Sequence, residues 1–404
     1  MKKLLLVLAF ATTARAEFAL RDGDTLAFLG DSITAARGYT KTVEHYTLMR
    51  FPERRIRFVN AGEGGDTAQK CLARLERDVF SKGATVVTVA YGINDIGWGT
   101  KADDAHKQAY LDGIRTIIER CREKKVRPVI CSPAITAEDP DTAEKGYLQA
   151  MSDEGLALAK SLGADTIDLQ RGMREVQRRV IETNATTKPE DQVRLHVKDG
   201  IHLEELGQLA MAHAMLKGLG APPEVSAVEI DAKAVSNTSS GCTVSELKTT
   251  ADGLSFTRLD TGLPLNLGPL TQLQHRWIPI PDGINRYLLT VRNLPDGEYR
   301  IHAAGRDLGK VRAGELAKGV NLASMTGDGW QPGGPWDAQS CVVKELVDAR
   351  DKLWMGGVLQ GRYFPEDGRV RNEVEKLDGE LVALQRRAAK PAPYRFEITR
   401  VTAP

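Results

Sequence analysis

The sequence predicts an α/β domain built on a mostly parallel sheet, followed by a β-sandwich-like domain that carries a helical insertion. From Thr25 to about Gly220, short apolar runs alternate with longer amphipathic stretches, the pattern of strands and crossover helices. Beyond Val225 the texture changes to β-branched alternation broken by turn dipeptides: Asp252-Gly253, Asp282-Gly283, and Leu294-Pro295-Asp296-Gly297. Gly220 and Pro222-Pro223 punctuate the chain between the two textures. A chain of 404 residues accommodates this split, because single cores stop growing well below that length.

Taken in order, the chain begins with Met1-Lys2-Lys3, the apolar run Leu4 to Phe10, and Ala14-Arg15-Ala16. This reads as a basic segment, an apolar core too short to span a bilayer, and a small-x-small cleavage site. Residues 1–16 are therefore expected to be a signal peptide, with Glu17 as mature N-terminus and export to the periplasm or beyond. The α/β domain is then 17–221, and the β-rich accessory domain is 222–404.

Expected strands of the first domain are Leu26 to Leu29, Ile56 to Asn60, Val86 to Ala90, Pro128 to Ser132 and Thr166 to Leu169. Expected helices are Thr67 to Phe80, with Leu72, Leu75 and Val79 on one side, Asp104 to Lys125, and Glu204 to Leu219. In the second domain Glu298 to Ala303 and Tyr394 to Val401 read as strands. Lys344 to Leu353 and Val370 to Arg387 read as a helical hairpin inserted at about 340–390. Of the five cysteines, Cys71, Cys121 and Cys131 fall in apolar segments as small core residues. A Cys242–Cys341 bridge is left open by the sequence.

Four short segments carry chemistry, and each follows an expected strand or precedes a helix, where an open parallel sheet binds its ligands. Gly30-Asp31-Ser32-Ile33 places a serine at a sharp turn, exposed at the sheet edge with backbone N–H groups nearby, as a nucleophile requires. Asn60 to Thr67 is a glycine-rich loop whose amides can approach a developing oxyanion. Gly92-Ile93-Asn94-Asp95 supplies an uncharged donor, Asn94. Asp199-Gly200-Ile201-His202 brings a carboxylate and an imidazole to one side of a tight turn, so that one ring nitrogen is held and the other is free to act as a base. Of the seven histidines only His196 competes, and it ranks behind His202.

In the order Ser32, Gly65, Asn94 and His202, these blocks resemble the SGNH (GDSL-type) hydrolase family over about half the chain. The resemblance implies a flavodoxin-like three-layer α/β/α fold and a catalytic triad of Ser32, Asp199 and His202. It also implies an oxyanion hole formed by the Ser32 and Gly65 backbone N–H groups and the Asn94 side chain, with Gly62 as competitor to Gly65. Asp31 and Asp95 read as loop-bracing carboxylates. No cofactor is required, and no Cys/His cluster with zinc spacing occurs.

A formal net charge of +1 gives no electrostatic footprint for nucleic acid, and past the leader no apolar run is long enough for stable membrane insertion. Together with export and the appended domain, this resembles bacterial carbohydrate O-acetylesterases, so the expected partner is an O-acylated small molecule or glycan. Trp98, Trp330 and Trp336 are candidate sugar-facing rings. Two alternatives stand beside this reading: a lysophospholipase or thioesterase on longer acyl chains, and a non-catalytic carbohydrate-binding protein on the same scaffold.

Overall fold

Strands β1 (Thr25–Gly30), β2 (Arg57–Gly62), β3 (Val86–Ala90), β4 (Arg127–Cys131) and β5 (Asp165–Ile167) form one parallel sheet in the order β2-β1-β3-β4-β5. The computed structural model describes residues 17–328, 330, 333–361 and 368–401; the expected signal peptide lies outside the described residues. Strands β1 and β3 are buried along their whole length, which is why they read as unbroken apolar runs rather than alternating ones. The strand order reverses between β1 and β3, and in a flavodoxin-like sheet this switch point opens the crevice at the carboxyl edge.

Helices α1 (Gly38–Arg50), α2 (Asp104–Glu123), α3 (Tyr147–Ser161), α4 (Leu169–Asn184) and α5 (Glu205–Gly218) cover both faces. On one face Tyr39, Val43, Met173, Val176 and Leu209 share a core with Leu26 and Phe28. On the other, Ile114, Ile117, Met151 and Leu156 pack with Ala27, Val87 and Val89. Helix α2 starts where Asp103 caps the His106 N–H at 2.9 Å.

The continuous helix expected over Thr67 to Phe80 is not formed. Three short turns replace it, Lys70–Ala73, Leu75–Asp78 and Phe80–Lys82. Leu75 and Val79 are buried as the periodicity required, but the chain bends at Arg74 and turns its guanidinium inward.

In the second half, β6 (Glu224–Asp231), β7 (Ser236–Ser240), β10 (Arg286–Arg292) and β13 (Val320–Asn321) form one sheet. An antiparallel second sheet comprises β8 (Cys242–Thr250), β9 (Gly253–Asp260), β11 (Glu298–Ala303), β12 (Arg306–Arg312) and β14 (Tyr394–Arg400). Val228, Ile230 and Leu289 of the first meet Phe256, Ile301 and Phe396 of the second in a shared core, as in a sandwich. The helical hairpin α6 (Pro335–Gly361) and α7 (Arg369–Ala389) falls between β13 and β14 and is longer than its apolar pattern suggested.

That hairpin packs on α1, the helix after the serine turn. Buried Arg350 binds Glu44 Oε1 at 3.1 Å and Asp378 Oδ1 at 2.6 Å, while Arg37 reaches Asp351 at 2.8 Å. Burial pushes the Glu44 carboxyl up, and the Arg350 charge opposes it. Leu265, Trp277, Ile278 and Ile280, although past Gly220 in sequence, join the core of the first sheet.

One expectation on this half is corrected, and the cysteine pairing that the sequence left open is resolved. Trp336 is fully buried, its ring 4.9 Å from Tyr287 and stacked at 5.9 Å on Phe396, so it is a core residue and cannot meet a sugar. Cys242 and Cys341 are free thiols; one faces the Ala227 carbonyl from β8, the other Asn266 from α6, and no bridge joins them.

Candidate active site

Asp31 ends β1 by accepting the Ile33 N–H at 2.9 Å, which starts a short helix, Ser32–Ala35, with Ser32 as its first residue. The Ser32 backbone N–H has no hydrogen-bond partner among the described residues. Ahead of α5, Asp199 Oδ1 accepts the N–H groups of Ile201 and His202 at 2.8 and 2.9 Å, folding the segment into an Asx turn. Its other oxygen lies 2.6 Å from His202 Nδ1, and His202 Nε2 lies 2.8 Å from Ser32 Oγ. An Nδ1–H donated to the carboxylate leaves Nε2 to accept from the serine hydroxyl. The His202 hydrogen bond, and after it the two backbone amides, hold the Asp199 carboxyl down to about 2.

His196, the competitor, is buried with Nε2 3.0 Å from the Ile135 carbonyl oxygen.

Of the two glycines proposed for the second donor, Gly62 gives its N–H to Asn60 Oδ1 at 3.0 Å. Its lack of a side chain serves close approach: a Cβ there would lie 2.2 Å from the Ala35 nitrogen. Gly65 sits at φ +71°, and its N–H has no partner among the described residues. Asn94 Nδ2 donates to the Asp66 carbonyl at 3.0 Å, tying the third loop to the second and leaving one amide hydrogen unassigned.

Trp98 closes the group. It holds the left-handed conformation, φ 58°, which is uncommon for a non-glycine residue, and donates its indole N–H to Asn94 Oδ1 at 2.8 Å. Its ring stands edge-on to His202 at 5.8 Å and is 50% exposed. Trp330 is 86% exposed in its own loop, its backbone N–H on Asp328.

Arg74 and Tyr91 were not marked by the sequence reading. Both are buried beneath the glycine loop and both reach Asp66. Asp66 lies in the glycine-rich loop Asn60 to Thr67, but a helix over Thr67 to Phe80 would put Arg74 on its polar face.

Asp95 Oδ1 accepts the Ala68 N–H at 3.0 Å, while Oδ2 is buried without a partner. Burial pushes this carboxyl up to about 6. An aspartate in the unfolded chain titrates near about 3.9. The folded protein therefore binds the extra proton between these values, and stability falls as pH rises from about 4 to about 6. Asp95→Asn keeps an acceptor for Ala68 and is expected to exceed wild type in stability at pH 8 by at most about 3 kcal/mol. The gain should vanish at pH 4; denaturant titration at both pH values checks it, and an equal gain at each would contradict it.

Residues 28–210 match the sequence model of the GDSL-like lipase/acylhydrolase family. Over that span, a little under half of the chain, the α/β domain resembles this family. Two curated relatives match parts of this chain. An acetylxylan esterase of Geobacillus stearothermophilus is 34% identical over 89 residues, covering 18% of this chain and 41% of that protein. An uncharacterized lipoprotein of Bacillus subtilis (strain 168) is 28% identical over 121 residues, covering 28% of this chain and 49% of the relative. The chain thus spans less than half the length of either. The solved structure of a gut microbial diltiazem-metabolizing enzyme shares the fold of the whole, with a TM-score of 0.81 at 22% identity over 95% of this chain and 98% of that one.

Among the described residues no group of three or more His, Cys, Asp or Glu is placed to hold a metal ion, and no helix is long and apolar enough to cross a membrane.

Proposed function

We propose that this protein is an exported serine esterase that removes small acyl groups, above all O-acetyl, from a carbohydrate or glycan through an acyl-enzyme on Ser32. The observation that carries the reading is the unbroken relay from Asp199 through His202 to Ser32, at 2.6 and 2.8 Å.

Its steps follow from the parts. His202 Nε2 takes the Ser32 hydroxyl proton as Oγ bonds to the ester carbon, and the carbonyl π pair moves onto oxygen. The N–H groups of Ser32, Gly65 and Asn94 stabilise that charge. Collapse breaks the bond to the alcohol oxygen, which takes the proton from His202. Water then attacks the acyl carbon, giving its proton to His202. The second collapse frees the carboxylic acid and returns the proton to Ser32.

The name of the acetylxylan esterase relative supports an acetyl ester on a sugar, and the exposed Trp98 ring beside His202 offers flat apolar area to a sugar face. Export rests on the first sixteen residues and is supported by a relative named as a lipoprotein.

Acetate release from acetylated xylan, pectin, sialylated mucin and peptidoglycan tests the substrate class. A p-nitrophenyl ester series tests the acyl group: acetyl is expected to turn over faster than octanoyl. Preference for octanoyl and longer chains would replace this reading with a lysophospholipase or thioesterase. Absence of turnover on every ester, with sugar binding retained, would replace it with a binding protein.

A further inference from the structure

We propose that Arg74, with Tyr91 beside it, is the positioning residue that holds the three oxyanion donors in one frame. The inference rests on the esterase reading above and deepens it.

The Arg74 guanidinium is buried and spends its donors on the carboxyl ends of the central strands. Nη2 reaches the Gly30 carbonyl of β1 at 3.2 Å, and Nη1 reaches the Ala61 carbonyl of β2 at 2.7 Å. Nη2 also lies 2.9 Å from the Tyr91 hydroxyl, just past β3. Nε and Nη2 both bind Asp66 Oδ2, at 2.8 and 2.5 Å, and the Tyr91 hydroxyl donates to that same oxygen at 2.8 Å.

Nη1 also meets Asp78 Oδ2 at 3.1 Å within its own turn, but three of the other contacts each lie a short way from one expected donor. Gly30 is two residues before Ser32, Tyr91 three before Asn94, and Asp66 follows Gly65 directly. The Asp66 carbonyl in turn receives Asn94 Nδ2. A displacement of Asp66 therefore moves the Gly65 amide and the Asn94 amide together. Only a planar fork of five N–H groups serves this many fixed acceptors at once; a lysine brings three donors to a single point. A pair of buried charges that merely stabilised the fold would not need to touch the segment behind every donor.

The donors act on charge that develops after Ser32 attacks, so loosening them should lower kcat and leave substrate binding in place. The variants are Arg74→Lys, which keeps the charge and loses the fork, and Tyr91→Phe, which keeps Arg74 and removes one bond to Asp66. Each is assayed with p-nitrophenyl acetate, with methaneboronic acid as a tetrahedral analogue on the serine, and by thermal melting. For Arg74→Lys, kcat is expected to fall by on the order of tenfold or more with KM within about twofold. The inhibition constant of the boronic acid should rise with the loss in kcat, and the pH profile of kcat/KM should keep its shape because the Asp199–His202–Ser32 relay is intact. Tyr91→Phe should show the same signature, smaller.

A folded Arg74→Lys with wild-type kcat overturns the proposal, as does a loss confined to KM. If Arg74→Lys does not fold, Tyr91→Phe decides: unchanged kcat and boronic acid affinity overturn the proposal. Failure of the esterase reading looks different, since wild-type protein would then neither turn over the ester nor bind the boronic acid.

Discussion

Replacing Ser32 with alanine is expected to lower kcat toward acetyl esters by on the order of 10⁴-fold or more, with His202→Ala falling by a similar factor. The two residues share one proton across 2.8 Å, so either loss removes the same attack. The double variant should therefore be scarcely slower than either single one, since groups acting as a unit are non-additive. Fold stability should change little, because both side chains lie at the sheet's open edge and only partly buried. Steady-state kinetics of the three variants check this. Multiplicative losses would mean that Ser32 and His202 act in separate steps.

Asp199→Asn is expected to cost on the order of 10³-fold in kcat, with KM little changed. Its carboxylate binds His202 Nδ1 at 2.6 Å and fixes which ring nitrogen carries the hydrogen. An amide in its place can turn its NH₂ toward Nδ1, which moves the ring hydrogen to Nε2 and leaves Ser32 without an acceptor. The carboxyl keeps its charge down to about 2, so loss of wild-type activity at mildly acid pH does not come from its protonation. Kinetics of Asp199→Asn and Asp199→Ala separate the effects. If the asparagine variant is as active as wild type, the carboxylate does not set the tautomer.

Much of the fold could be read from the sequence because parallel strands buried on both faces leave unbroken apolar runs. All five strands of the first sheet fall within two residues or so of their expected positions. Helix α1 was not anticipated: ten of its thirteen residues are buried, including Glu44, His45 and Arg50. Its polar residues disguise a helix covered on one side by the sheet and on the other by the hairpin from the far end of the chain. The Thr67 to Phe80 segment failed for the converse reason. Its apolar spacing was right, but tertiary hydrogen bonds to Arg74 outweighed local helical continuity.

The candidate site was more legible than its support. Ser32, Gly65, Asn94 and His202 lie in short local motifs whose glycines and carboxylates leave a sequence signature. Arg74 carries no such mark, because its partners lie at the ends of two strands and in the loops beyond β2 and β3, and become neighbours only when the sheet forms. Trp336 misled because a glycine- and proline-rich flank suggests an exposed loop, whereas the ring begins α6 and fills the sandwich core.

Covalent labelling offers the most direct measurement. Brief exposure to a fluorophosphonate, followed by intact-mass and peptide mass spectrometry, is expected to add one phosphonyl group on Ser32. The adduct should be absent from Ser32→Ala and greatly slowed in His202→Ala. An unlabelled wild-type protein, or a label carried by any residue other than Ser32, would contradict a serine mechanism at this site.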